Sequence, residues 1–499
     1  MTYQSEGCFV PRHALLAAGL ICLAELLPGA ASAQQAAEEL VRPEEVHSRN
    51  GELTLALTAA PAKINVAGVS FSSNVFNGKY LSPVLRVRRG DLVKIHLVNE
   101  IAKADNEISK PEPTNLHYHG MAIPPTEPAD DIFVEVHPKG HEHVGHHSNV
   151  YEYAWRVPED HALGLHWYHP HVHGRVEDQV LSGLSGLLVV ESMTETHYPQ
   201  FADLQRQTLI LRDIDLPGAK DGDPKTKTIN GQKHPAIRMR PGEFQIWEIG
   251  NLGADSYFDL ELDGHSFWVL GRDGNPTELP VKEQTLYLSP GARAEVLVQS
   301  AKAGHYPLRS LKVDTGPQGD PNPQVELGTV IVEGGPVNGG STSADLSKPA
   351  VALDSGDITA REVRKLPITN RRTITFSETA DGKTFFLNNK MFDQGRIDTT
   401  VTIGDVEEWT LRNVTGERHV FHIHQTDFLV TEQEGAALDY KGLRDVIDIP
   451  QQRNGKPGEV KIIVPFLRPN IAGKFVYHCH ILEHEDNGMM ANIVVLPAK

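Results

Sequence analysis

Three stretches of this chain follow one plan, and that plan narrows the folds open to it. In "LRVRRGDLVKIHLVNE" (85–100), "IRMRPGEFQIWEIGN" (237–251) and "TTVTIGDVEEWTLRNV" (399–414), a strand leads to a Gly-Asp or Gly-Glu turn. A second strand then runs to an asparagine. Copies about 150 residues apart indicate three similar units. The segments "GLSGLLVVE" (183–191), "AEVLVQS" (294–300) and "RTITFSE" (372–378) are equally short and rich in Val, Ile, Leu and aromatics. Many alternate with period two, with Gly, Pro, Asp and Asn clusters between them, and helical periodicity is scarce. A chain of 499 residues exceeds a single core. The expected class is all-β, built from β-sandwich domains. The Gly/Ser/Pro-rich "EGGPVNGGSTSADLSKPA" (333–350) marks a linker before the third unit. The predicted division is 45–195, 196–335, a linker over 336–352, and 353–499.

The first 33 residues read as a targeting segment. Arg12 and His13 precede the apolar run "ALLAAGLICLAELLPGAASA", which ends in Ala31-Ser32-Ala33, a small-residue cleavage pattern. The run is short for a membrane span. A signal peptide over 1–33 predicts a periplasmic or secreted protein with no membrane attachment after cleavage. The net charge of −18 argues against nucleic acid or an anionic membrane surface as partner. Cleavage removes Cys8 and Cys22 and leaves Cys479 alone, so no internal disulfide can form. A lone thiol in an oxidising compartment is a liability, which points to Cys479 as a ligand.

Cys479 lies in "FVYHCHILEHEDNGMM" (475–490), between His478 and His480 and ahead of His484 and Met489. Three more places concentrate histidine: "NLHYHG" (His117, His119), "HWYHPHVHG" (His166, His169, His171, His173) and "HVFHIHQ" (His419, His422, His424). On a strand, residues i and i+2 share a face and i+1 faces the other way. His478 and His480 therefore point opposite to Cys479, and His419 points opposite to His422 and His424. The four His-x-His pairs then set eight imidazoles on one side. The other side holds His419, Cys479 and, if the loop after the strand folds back, His484 and Met489. Two imidazoles, a thiolate and a weak thioether suit a blue-copper electron-transfer site. Structural zinc favours several thiolates, and oxygenase iron favours carboxylate beside imidazole. Copper is the expected metal.

These four motifs resemble those of the multicopper oxidases, the family of laccases, bilirubin oxidases and bacterial copper-resistance oxidases. The likeness covers nearly the whole mature chain. It implies three cupredoxin-like Greek-key β-sandwich domains and four copper ions, one type 1, one type 2 and two type 3. By this resemblance His419, Cys479, His484 and Met489 hold type 1 copper, and His117 and His422 hold type 2. His119, His169, His171, His424, His478 and His480 hold the type 3 pair, and 196–335 is the copper-free domain. The implied reaction takes electrons singly from a small donor and passes them through Cys479 and its histidine neighbours, reducing dioxygen to water.

Two acids match positions linked to proton delivery, Glu485 and Asp130 in "PADDIF", with Asp131 as the alternative to Asp130. The donor is predicted to be phenolic or aromatic. Alternatives are a metal ion, Cu(I), Fe(II) or Mn(II), and a non-catalytic copper-binding role. Seven methionines leave no room for a methionine-rich insert. "VHPKGHEHVGHHSN" (136–149), with His137, His141, His143, His146 and His147, is either an accessory metal loop or a solvated hairpin tip. His161, His166 and His173 have no required ligand role, lone His265 reads as structural or surface, and Met490 as core. One chain carrying all the ligand motifs is expected to be monomeric.

Overall fold

The computed structural model describes residues 38–101, 112–139, 148–220, 222–337, 346, 358–438 and 442–498. The signal segment with Cys8 and Cys22, four histidines of the 136–149 loop and most of 336–352 lie outside them. Strands dominate, in six sheets. A five-stranded and a four-stranded sheet draw on 45–191, a six- and a five-stranded sheet on 205–332, and another such pair on 370–496. Within each block the two sheets share an apolar core. Leu57 and Val87 meet in the first, Trp247 and Phe258 in the middle, and Trp409 and Tyr477 in the last.

The threefold plan has a physical basis. At each Gly-acid turn the chain leaves one sheet of its block and enters the other: Val84–Arg88 to Leu92–Asn99, Ala236–Met239 to Phe244–Asn251, and Thr399–Thr402 to Val406–Asn413. Gly90, Gly242 and Gly404 all adopt positive φ, at 80°, 76° and 104°, where a side chain would be strained. The acid that follows accepts a backbone N–H three residues back: Arg88 to Asp91 (2.7 Å), Arg240 to Glu243 (2.6 Å) and Thr402 to Asp405 (2.7 Å). The closing asparagines Asn99, Asn251 and Asn413 are fully buried. Each accepts the N–H of residue i+2 and donates its amide to carbonyls of the loop that follows it or of a more distant segment. These side chains replace the ladder bonds lost at the corner.

A buried ion pair ties the first block to the middle one. Arg86 donates to Glu248 at 2.7 and 3.3 Å, with Arg206 and Thr208 also on that carboxylate. Burial pushes the Glu248 carboxyl up, but the Arg86 charge and hydrogen bond outweigh it and hold it below the usual range. A depressed carboxyl contributes stability that is complete above its unfolded pKa and lost as pH falls through the folded one. Glu248→Gln is therefore expected to melt lower than wild type at neutral pH, by roughly 2–4 °C. The gap should close as pH drops below about 4.5. Melting curves across that range check it, and a gap that persists undiminished at acid pH refutes it.

Candidate metal centres

The thiol site forms where two strands and a short helix meet. His419 begins the strand His419–Ile423, Cys479 ends Gly473–Cys479, and His484 sits on the helix Leu482–Asp486. Antiparallel register sets Phe421 opposite Cys479 and His422 opposite His478. His419 Nδ1 and His484 Nδ1 lie 3.1 Å apart, and Cys479 Sγ is 3.7 and 3.6 Å from them. Metal bonds of about 2.0–2.3 Å place donor atoms ~3–4 Å apart, so these three fit one ion.

The ring orientations are fixed from behind. Thr415 Oγ1 meets His419 Nε2 at 2.9 Å, and Glu417 Oε1 lies 3.4 Å from His484 Nε2. Both residues are tied to the Asn413 corner, which accepts the Thr415 N–H and donates to the Glu417 carbonyl. Met489 is fully buried, its backbone bonded to His484 and to Cys479. Burial pushes the Cys479 thiol up and His419 down to about 3. An ion that displaces the thiol proton and takes both neutral imidazoles relieves those penalties together.

The eight remaining imidazoles converge on the other side of the Cys479 strand. All are at most 1% exposed. His171, His424 and His478 form one compact group, His117, His422 and His424 a second, and His117, His119 and His169 a third. His117 stacks on His424 at 3.7 Å and His119 on His422 at 3.8 Å. Outer nitrogens are pinned: His117 Nδ1 to Asp130 (3.0 Å), His169 Nδ1 to the Pro170 carbonyl (2.9 Å), His422 Nδ1 to the Asp445 carbonyl (2.8 Å). The Nε2 atoms of these three rings have no hydrogen-bond partner among the described residues. Buried polar atoms left unmet cost about 1–3 kcal/mol each. Burial, with the neighbouring rings, holds His117, His119, His171, His422, His424 and His480 far below the ordinary histidine value. Neutral, pinned imidazoles with inward lone pairs are what copper requires.

The structure keeps the two groups apart but departs from plain strand alternation in several places. Only His117–His119 lies wholly within a strand. His171, His424 and His480 each stand just beyond a strand end; at His171 the intervening Pro170 lacks the N–H that would extend the ladder. His484 comes from a helix rather than a folded-back loop.

Glu485 is fully buried, with Oε2 2.9 Å from His478 Nδ1 and Oε1 3.3 Å from His171 Nε2. Asp130, rather than Asp131, faces His117; it also accepts from the Tyr118 N–H and, at 2.5 Å, from Gln425. Burial pushes its carboxyl up to about 7. His161 is bonded to the backbone of Ala122 and Ala162, and His265 to that of Asp263 and Ala301. His173 is exposed beside Phe392, while Met490 packs with Ile132 and Val476. His137 is buried 3.1 Å from Glu135. Thr415 acts on His419 four residues on, whereas Glu417, Gln425 and Asp445 carry no sequence signal, since contacts with distant segments define them.

Family models described as multicopper oxidase match residues 58–195, 194–332 and 365–499. A multicopper oxidase of Staphylococcus aureus is 29% identical over 465 residues, 89% of each chain. The structure of a Campylobacter jejuni multicopper oxidase, titled a metallo-oxidase, superposes with TM-score 0.73 at 24% identity, over 93% of this chain and 98% of that one. A laccase-like multicopper oxidase from Ochrobactrum, titled for oxidase activity towards lignin model compounds, gives 0.71 at 24% identity over 92% and 100%. Among the described residues no helix is long and apolar enough to cross a membrane. With three family matches in chain order over a strand-rich fold that gathers these imidazole and thiol groups, the chain belongs to the multicopper oxidase family, copper-dependent oxidoreductases that use dioxygen as acceptor.

Proposed function

We propose that this protein oxidises a small donor one electron at a time at a type 1 copper held by His419, Cys479, His484 and Met489, and reduces dioxygen at a three-copper site held by the other eight histidines. His117 and His422 take the type 2 ion. His119, His169, His171, His424, His478 and His480 take the type 3 pair. The carrying observation is the bonded sequence His478-Cys479-His480, whose sulfur joins one donor set while its neighbours join the other. Copper at these positions would supply reversible one-electron chemistry and the four-electron reduction of dioxygen to water. The chain itself supplies the covalent link between the two sets, ring orientation through Thr415, Glu417, Asp130 and Asp445, and carboxylates beside the imidazoles for proton delivery. Domain limits at 45–195, 196–335 and 353–499, export after cleavage at Ala33, and a monomeric state complete the assignment.

Phenolic or aromatic compounds are the first donor class. A second class is supported by the cavity of about 140 Å³ that reaches His484. Asp223, Asp255, Asp320, Glu378, Glu417 and Glu483 line it against Lys225 and Arg418. Lys225 is paired with Asp255, and Arg418 with Asp448. Such a surplus of carboxylate favours a cation such as Fe(II), Mn(II) or Cu(I) over a neutral ring. Copper-loaded protein is expected to show a thiolate-to-copper band, a type 2 EPR signal and an EPR-silent coupled pair, and to consume dioxygen with a donor. Uptake compared between a phenol and Fe(II) or Cu(I) separates the classes. Full copper loading without uptake on any donor would leave only a copper-binding role.

A further inference from the structure

The stretch 196–335 contributes no histidine to either donor set, yet one of its residues reaches the eight-imidazole site. Arg293, the first residue of the strand Arg293–Gln299, is wholly buried. Its guanidinium donates to both carboxylate oxygens of Asp445, at 2.7 Å each. Its remaining bonds go to the carbonyls of Leu165 and Gly291, both at 3.0 Å. Its own N–H is held by Asp273 at 2.8 Å. A two-pronged bond fixes both the position and the plane of the carboxylate it meets.

Asp445 in turn faces two of the eight rings, and it faces them differently. Its backbone carbonyl takes His422 Nδ1 at 2.8 Å, which leaves His422 Nε2 for a metal. Its side-chain Oδ1 stands 3.5 Å from His119 Nε2. That approach is not a hydrogen bond: His119 Nε2 has no hydrogen-bond partner among the described residues, and its Nδ1 lies 3.3 Å from His480 Nε2. The same residue thus bonds one ring of a stacked pair and stands against the edge of the other. The space is tailored to the pair. A Cβ on Gly120, next to His119, would fall 2.5 Å from Asp445 Oδ2 and 2.7 Å from Arg293 Nη2. A Cβ on Gly291, whose carbonyl Arg293 holds, would come within 3.0 Å of His480 Nε2.

Resting on the copper sites proposed above, we infer that Arg293 is a positioning residue of the three-copper site, acting through Asp445 to fix the donor nitrogen of His422 and the placement of His119. The stretch without ligands is then part of the site's geometry and more than a spacer. His419, Cys479 and His484 have no contact with this clamp, so the thiol site serves as an internal control.

The test compares copper-reconstituted full-length wild type, Arg293→Lys and Asp445→Asn. Lysine keeps the charge and loses the two-pronged bond. Asparagine keeps the backbone carbonyl for His422 but removes the carboxylate charge and one of the two oxygens that Arg293 grips. Both variants are expected to retain the thiolate-to-copper band at wild-type intensity. Their three-copper site should surrender metal to a competing chelator about 10- to 100-fold more readily, with a changed type 2 EPR signal. Asp445→Asn decides the matter should Arg293→Lys fail to fold. Wild-type chelator resistance and an unchanged type 2 signal in the folded variants would overturn the inference. So would loss of the thiolate band in step with the type 2 signal, which marks general unfolding. A wild-type chain with the thiolate band but no type 2 signal would instead sink the three-copper assignment beneath it.

Discussion

Cys479→Ser is expected to abolish the thiolate-to-copper absorption and all donor-driven oxygen uptake, while the eight-imidazole site still takes up copper. The thiol is fully buried, 3.7 and 3.6 Å from the two imidazole nitrogens that complete its set. Serine differs by one atom and fits the same space, so the fold should survive the change. A hydroxyl is a hard ligand that does not replace a soft thiolate on copper, and its oxygen cannot provide the sulfur-based connection to His478 and His480. The effect should be confined to one side of the strand, because those two rings face the opposite way and keep their own contacts. Copper content is expected to fall by one ion per chain, with the type 2 EPR signal preserved. A blue variant, or one that still oxidises the donor at a wild-type rate, would show that electrons enter elsewhere.

How far this site could be read in advance depended on the range of the interactions that build it. Alternation is a property of neighbouring residues, so the sorting of Cys479 from His478 and His480, and of His419 from His422 and His424, was legible in the order of letters. So were the Gly-acid corners, whose hydrogen bonds span three residues. The strand ends at His171, His424 and His480 were not, because only the assembled sheets show where pairing stops. Least legible were the groups that orient the rings. Arg293 and Asp445 are 152 positions apart, and Gln425 and Asp130 are 295 apart. Nothing local in "GARAEV" or "RDVIDIP" marks a residue that reaches a histidine in another segment. The choice between Asp130 and Asp131 shows the same limit. Both are acids in one turn, and the fold turns Asp130 towards His117 while Asp131 accepts the Phe133 N–H.

Glu485→Gln is expected to keep the thiolate-to-copper band and slow turnover by about 10²–10⁴-fold, the usual worth of a positioned proton-transfer group. The carboxylate is fully buried between His478 Nδ1 and His171 Nε2, one ring from each of two motifs in the eight-imidazole site. Glutamine has the same length and shape, so the helix Leu482–Asp486 and the adjacent His484 should hold their places. What the amide cannot do is take up and release a proton beside those rings, and dioxygen reduction to water consumes four. On the proposed assignment the donor enters at the His484 cavity, on the other side of Cys479, so KM for the donor should stay near wild type while kcat falls. Anaerobic reduction of the blue band by donor should also run at the wild-type rate, since it precedes proton delivery. Glu485→Asp retains an acid one methylene shorter and should recover part of the loss, which a purely structural role for the glutamate would not produce. Equal steady-state rates for wild type and Glu485→Gln would remove this carboxylate from the proton path and leave Asp130, hydrogen-bonded to His117, as the acid to test.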